Sequence, residues 1–131
     1  MLASVLLTRL SHWQTDARQL RLETALAAVQ RAIPVFQAHC MREPDPRCER
    51  LLIDRQLIAG AHGHAAARPD GIARLAGLSA DTGLRQGLRD GVATLTVSVA
   101  RAGAPRCEFT YVEAAHAGAA PDIDPASISC P

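Results

Sequence analysis
Apolar residues recur at helical spacing through the first third of the chain and at every second position late in it, which predicts a helix followed by sheet. From Ser11 to about Cys40 there is no glycine, and strong helix formers dominate, as in Leu20-Arg21-Leu22-Glu23-Thr24-Ala25-Leu26-Ala27-Ala28-Val29. Leu22, Leu26, Val29, Ile33, Phe36 and Cys40 step by four and three, flanked by Ala25, Ala28 and Ala32, so one stripe faces a core, while Arg21, Gln30 and Arg31 lie opposite. Earlier, Leu6, Leu10, Trp13, Ala17 and Leu20 follow a rotated stripe, which predicts contact with something other than the domain's own core. Pro34 removes one backbone donor near the helix end and is expected to bend it.

Beyond the helix, Met41 to Arg50 holds Pro44, Pro46 and several charges and reads as an exposed loop. A second short helix is expected at 49–59, with Leu51, Leu52, Leu57 and Ile58 as its apolar side and Gly60 as its stop. Residues 61–90 read as mostly loop, with a turn at Arg68-Pro69-Asp70-Gly71 and a helical turn at Ile72 to Leu75. Val92 to Ala100 alternates cleanly, with Ala93, Leu95, Val97 and Val99 on one face. Cys107 to Glu113 alternates again, with Cys107, Phe109 and Tyr111 together, so a hairpin is expected over 92–113. A tail, 114–131, is too poor in large apolar residues to hold itself down.

Together these elements predict one α+β domain over 1–131, a long N-terminal helix packed on a small antiparallel sheet. The hydrophobic share of 48% supports a core, but only 3% of residues are aromatic, so that core is aliphatic. Fourteen basic residues, all arginine and spread along the chain, face thirteen acidic ones for a net charge of +1. Near-neutral charge with few aromatic residues argues against a nucleic-acid partner.

Cys40, Cys48, Cys107 and Cys130 have no C-x-x-C spacing, and an even count favours disulfides over a metal site. Three connectivities exist; loop economy and the order of elements favour Cys40 with Cys48 and Cys107 with Cys130, the second pair pinning the tail. Disulfides imply an oxidising compartment. Met1 to Leu7 is apolar but interrupted by Arg9, too short for a membrane span, so an export signal or anchor would lie upstream of this sequence.

His62-Gly63-His64, with His39 and His116 elsewhere, is the strongest candidate for zinc or copper ligation, yet it sits among glycines with no neighbouring Glu, and a solvated loop is the simpler reading. No G-x-S-x-G motif places a nucleophile, and the glycines of Gly83 to Gly91 lack the Lys of a phosphate-binding loop. Asp122 and Asp124, with Asp81 and Asp90, read as solvating charges rather than calcium ligands. No catalytic residue, metal, cofactor or small-molecule substrate is expected.

The order of parts resembles the soluble part of a type IV pilin-like protein, a minor pilin or a secretion pseudopilin: a long helix with a second face, a loop, the segment Leu51-Leu52-Ile53-Asp54-Arg55-Gln56-Leu57-Ile58, a hairpin, and a disulfide-bounded C-terminal region. The resemblance implies a structural or initiating subunit of an extracellular filament or secretion pseudopilus, standing at the periplasmic face of the inner membrane or in the filament. Its partners would be other pilin-like subunits, met through Leu6, Leu10, Trp13, Ala17 and Leu20, and the inner membrane, through an anchor missing from this chain. The family's cleavage site, followed by a Glu and an apolar run, is not in this sequence; Ala3 to Leu10 would be the last turns of the anchor. Two other readings are a periplasmic accessory or binding module of another envelope complex, and a small metal-dependent enzyme using His62 and His64.

Overall fold
The computed structural model describes residues 2–79, 82–99 and 107–124, with side chains described from residue 17 onward. Helix α1 (Leu2–Cys40) extends nine residues before the expected start at 11 and ends at the expected place, with Pro34 inside it. Its core side is Leu22, Ala25, Val29, Ala32, Phe36 and Cys40, all buried, while Leu26 and Ile33 are partly buried at the margin of the same core. The buried stripe is therefore turned slightly from the expected one: alanines occupy its centre, where they let the sheets approach the helix closely.

Two antiparallel sheets pack on α1. The first comprises β1 (Arg50–Ile53), β2 (Gln56–Ala61) and β3 (His64–Ala65) in that order. It replaces the short helix expected at 49–59. Asp54 and Arg55 both adopt positive φ, 48° and 67°, and make a two-residue reversal that pairs Leu51 with Ile58 and Leu52 with Leu57. Leu51, Ile53 and Ile58 turn inward while Leu52 and Leu57 stay exposed, the alternation of a half-buried hairpin. Gly60 is not a helix stop but part of β2, where a Cβ would meet the Cys48 carbonyl oxygen and lie 2.5 Å from Phe36 Cζ.

Residues 61–90 hold more structure than the expected loop. His62 and Gly63, at φ 54° and 84°, turn the chain between β2 and β3. A helical turn at Pro69–Ala73 runs into α2 (Arg74–Ala76), close to the turn expected at Ile72 to Leu75, and Gly77 caps it at φ 69°. Strand β4 (Gly83–Arg89) follows and pairs along its whole length with β5 (Val92–Ser98) across Asp90-Gly91.

The second sheet runs β4-β5-β6-β7, with β6 at Glu108–Val112 and β7 at Asp122–Asp124. Its β5–β6 pair is the expected hairpin, and Leu95, Val97, Val99, Cys107, Phe109 and Tyr111 are buried as the alternation predicts. The tail is not wholly unstructured, since β7 pairs Ile123 with Tyr111. On the sheet's other face Thr96 and Thr110 hydrogen-bond at 3.0 Å, between the ion pairs Arg85–Glu108 (3.7 Å) and Arg89–Asp124 (3.3 Å).

Where the two sheets meet, the Tyr111 hydroxyl donates to the Ala65 carbonyl at 2.7 Å and the Glu113 carboxylate accepts from the Ala67 amide at 3.0 Å. Cys40 and Cys48 form a disulfide that closes the loop between α1 and β1. Cys107 is also disulfide-bonded; the expected partner Cys130 lies outside the described residues.

Candidate assembly surface
Helix α1 positions the residues expected to meet partners. Its seating on the sheets is fixed at one end by the Cys40–Cys48 bridge and further up by Arg18, which is buried and donates from Nη2 to the Val99 carbonyl at 3.1 Å. That charge-assisted bond ties the helix to the end of β5. Of the five stripe residues, Ala17 and Leu20 are exposed, Leu20 at 64%. The side chains of Leu6, Leu10 and Trp13 lie outside those described, although their backbone belongs to α1.

Leu20 borders a groove of about 310 Å³ between α1 and the segment after α2, walled by Thr24, Ala28, Leu78 and Val99. Small residues on the helix open this groove: at Ala25 and Ala28 a larger side chain would fill it. The helix surface beside the stripe is thus apolar and concave, a shape that accepts a protruding apolar side chain from another molecule. Among the described residues no helix is long and apolar enough to cross a membrane.

The histidines with described side chains lie on three parts of the fold. His62 is exposed on the β2–β3 turn, and His64 stands on β3 with a partly buried ring. Burial lowers the His64 pKa, and its Nδ1 has no hydrogen-bond partner among the described residues. His39 bonds the Val35 carbonyl within α1, and His116 lies in the turn before β7. Among the described residues no three His, Cys, Asp or Glu side chains gather as a metal site would require. Asp124 is paired with Arg89, and Asp122 accepts a hydrogen bond from the Ile123 amide; Asp81 lies outside the described residues.

Sequence reasoning missed the β1 edge, where Leu52 is 68% exposed beside Leu57 at 48%. The signal was present in Leu51-Leu52-Ile53-Asp54-Arg55-Gln56-Leu57-Ile58, whose apolar residues are nearly mirror-symmetric about Asp54-Arg55, as a hairpin requires. The chain matches no protein-family model, no curated protein and no solved structure.

Proposed function
We propose that this chain is a structural or initiating subunit of an extracellular type IV pilus-like filament or secretion pseudopilus, working by assembly rather than by catalysis. The observation that carries the reading is the division of α1. Leu22, Val29 and Phe36 are fully buried against the sheets, whereas Ala17 and Leu20 continue the second stripe on the exposed side, beside an apolar groove. A helix that served only its own domain would gain nothing from a second apolar face, because exposed leucine contributes no burial energy until something covers it. The paired cysteines agree with an oxidising compartment outside the cytoplasm. In this reading other pilin-like subunits cover the stripe, and an anchor encoded upstream holds the subunit in the inner membrane before assembly.

Photo-crosslinking from Leu20 in the native cell tests the reading. The expected product is a covalent adduct with another pilin-like subunit, lost when Leu10 and Trp13 are both changed to Ala. A cell in which Leu20 captures no other subunit, or captures only a soluble periplasmic enzyme complex, overturns it.

A further inference from the structure
The first sheet ends in an edge whose sequence is complementary to itself. Among the described residues no strand lies beyond β1. The Gly60 amide donates to the Glu49 carbonyl at 2.9 Å, and antiparallel bonding alternates, so the main-chain groups of residues 49, 51 and 53 point to β2 while those of Arg50 and Leu52 point away from it. Leu52 projects into solvent from this edge, with Leu57 opposite it, so the strand offers a ladder and an apolar patch together.

Charge specifies what would occupy it. If a second copy pairs antiparallel with Leu52 facing Leu52, then Leu51 meets Ile53, Arg50 meets Asp54 and Glu49 meets Arg55. Every charged residue then faces its opposite, and each pair occurs twice by symmetry. A slip of one position sets Glu49 against Asp54 or Arg50 against Arg55, and also turns the exposed leucines to the wrong face. Among the described residues, Arg50, Asp54 and Glu49 are exposed and form no ion pair with one another in the isolated chain. Asp54 and Arg55 sit on the turn, so their contribution is through side chains, whereas Leu52 exchanges both of its main-chain bonds.

We propose that β1 is a self-association edge at which two copies of this chain pair antiparallel about Leu52, joining their three-stranded sheets and covering Leu52 and Leu57. This inference does not depend on the filament reading, which uses a different surface, the stripe on α1.

Sedimentation equilibrium over about 1 µM to 1 mM measures the association. The wild-type chain is expected to dimerise, Leu52→Arg to remain monomeric, and Arg50→Glu or Asp54→Arg each to weaken its own dimer about tenfold or more, since reversal turns two attractive pairs into repulsive ones. Mixing the two charge variants discriminates sharply. In the mixed dimer Glu at 50 faces Arg at 54, and Arg50 faces Asp54, so association should return to the wild-type level. Thermal melts of each variant at the lowest concentration, expected to match wild type, show that the fold is kept. A wild-type chain that stays monomeric throughout, charge variants that dimerise as wild type does, a mixture no stronger than its components, or a dimer lost on Trp13→Ala instead would each overturn the proposal.

Discussion
The phenol of Tyr111 is fully buried and donates to the Ala65 carbonyl, so one side chain joins the two sheets. Burial raises its pKa, and the nearby negative charge of Glu113 raises it further. A folded pKa above the unfolded value of about 10 means that stability is fully present below pH 10 and is lost as pH rises beyond it. Tyr111→Phe should therefore cost about 1–2 kcal/mol at neutral pH by leaving the Ala65 carbonyl without its donor. It should also flatten the decline above about pH 10. Denaturant unfolding of both proteins from pH 7 to 11 checks each half, and parallel alkaline declines would count against it. Two glycines give a second contrast at this scale. Gly91 has φ 80° and open space around it, so Gly91→Ala should cost only about 1 kcal/mol, from backbone strain. Gly60→Ala would drive a methyl group into the Cys48 main chain and Phe36 and should cost about 2–3 kcal/mol. Equal losses would show that the contact at Gly60 relaxes freely.

At the scale of elements, α1 and the β5–β6 hairpin were legible because each carries a full apolar period: Leu22 to Phe36 at helical spacing, Leu95 to Val99 and Cys107 to Tyr111 at alternation. The β1–β2 hairpin was read as a helix despite its mirror-symmetric apolar residues, because Asp54-Arg55 is an uncommon pair for a two-residue reversal and Arg at positive φ gives no compositional mark of a turn. Strand β4 was hidden for the opposite reason. Six of its seven residues are exposed, so it has no apolar stripe, yet Asp90-Gly91 is a strong turn signal that its pairing with β5 follows. The candidate site was legible only as a stripe on α1, since the groove depends on where the segment after α2 comes to lie. The Cys40–Cys48 bridge binds these elements: Cys48 is buried, and the carbonyls of Arg47 and Glu49 accept from Gly63 and Gly60. The bridge thus holds the end of α1 to the first sheet. Changing both cysteines to Ser should lower stability by about 2–3 kcal/mol, the entropy of a loop this short. Equilibrium unfolding reads this directly, and an unchanged midpoint would mean that the main-chain bonds alone hold the loop.

For the whole molecule the question is which face of α1 belongs to the fold and which to assembly. Val29 and Phe36 are completely buried in the core that α1 shares with the sheets, so each truncation leaves a cavity that rigid strands cannot fill. Val29→Ala should cost about 2–3 kcal/mol and Phe36→Ala about 3–5, whereas the half-buried Leu26 should cost less than either. The second stripe predicts the reverse pattern. Leu20, two-thirds exposed, has little burial to lose; if partner subunits rather than the core take the rest of the stripe, Leu10→Ala or Trp13→Ala should leave the melting temperature of the isolated chain within about 2 °C, as changes outside a core are usually worth under about 0.5 kcal/mol. The same two changes should sharply reduce crosslinking or filament formation in the native cell, while Val29→Ala reduces it only as far as it reduces the amount of folded subunit. Thermal unfolding beside the assembly assay separates the two faces. If Trp13→Ala melts the isolated chain as badly as Val29→Ala does, the stripe is part of the domain's own core, and the filament reading loses the division of the helix on which it stands.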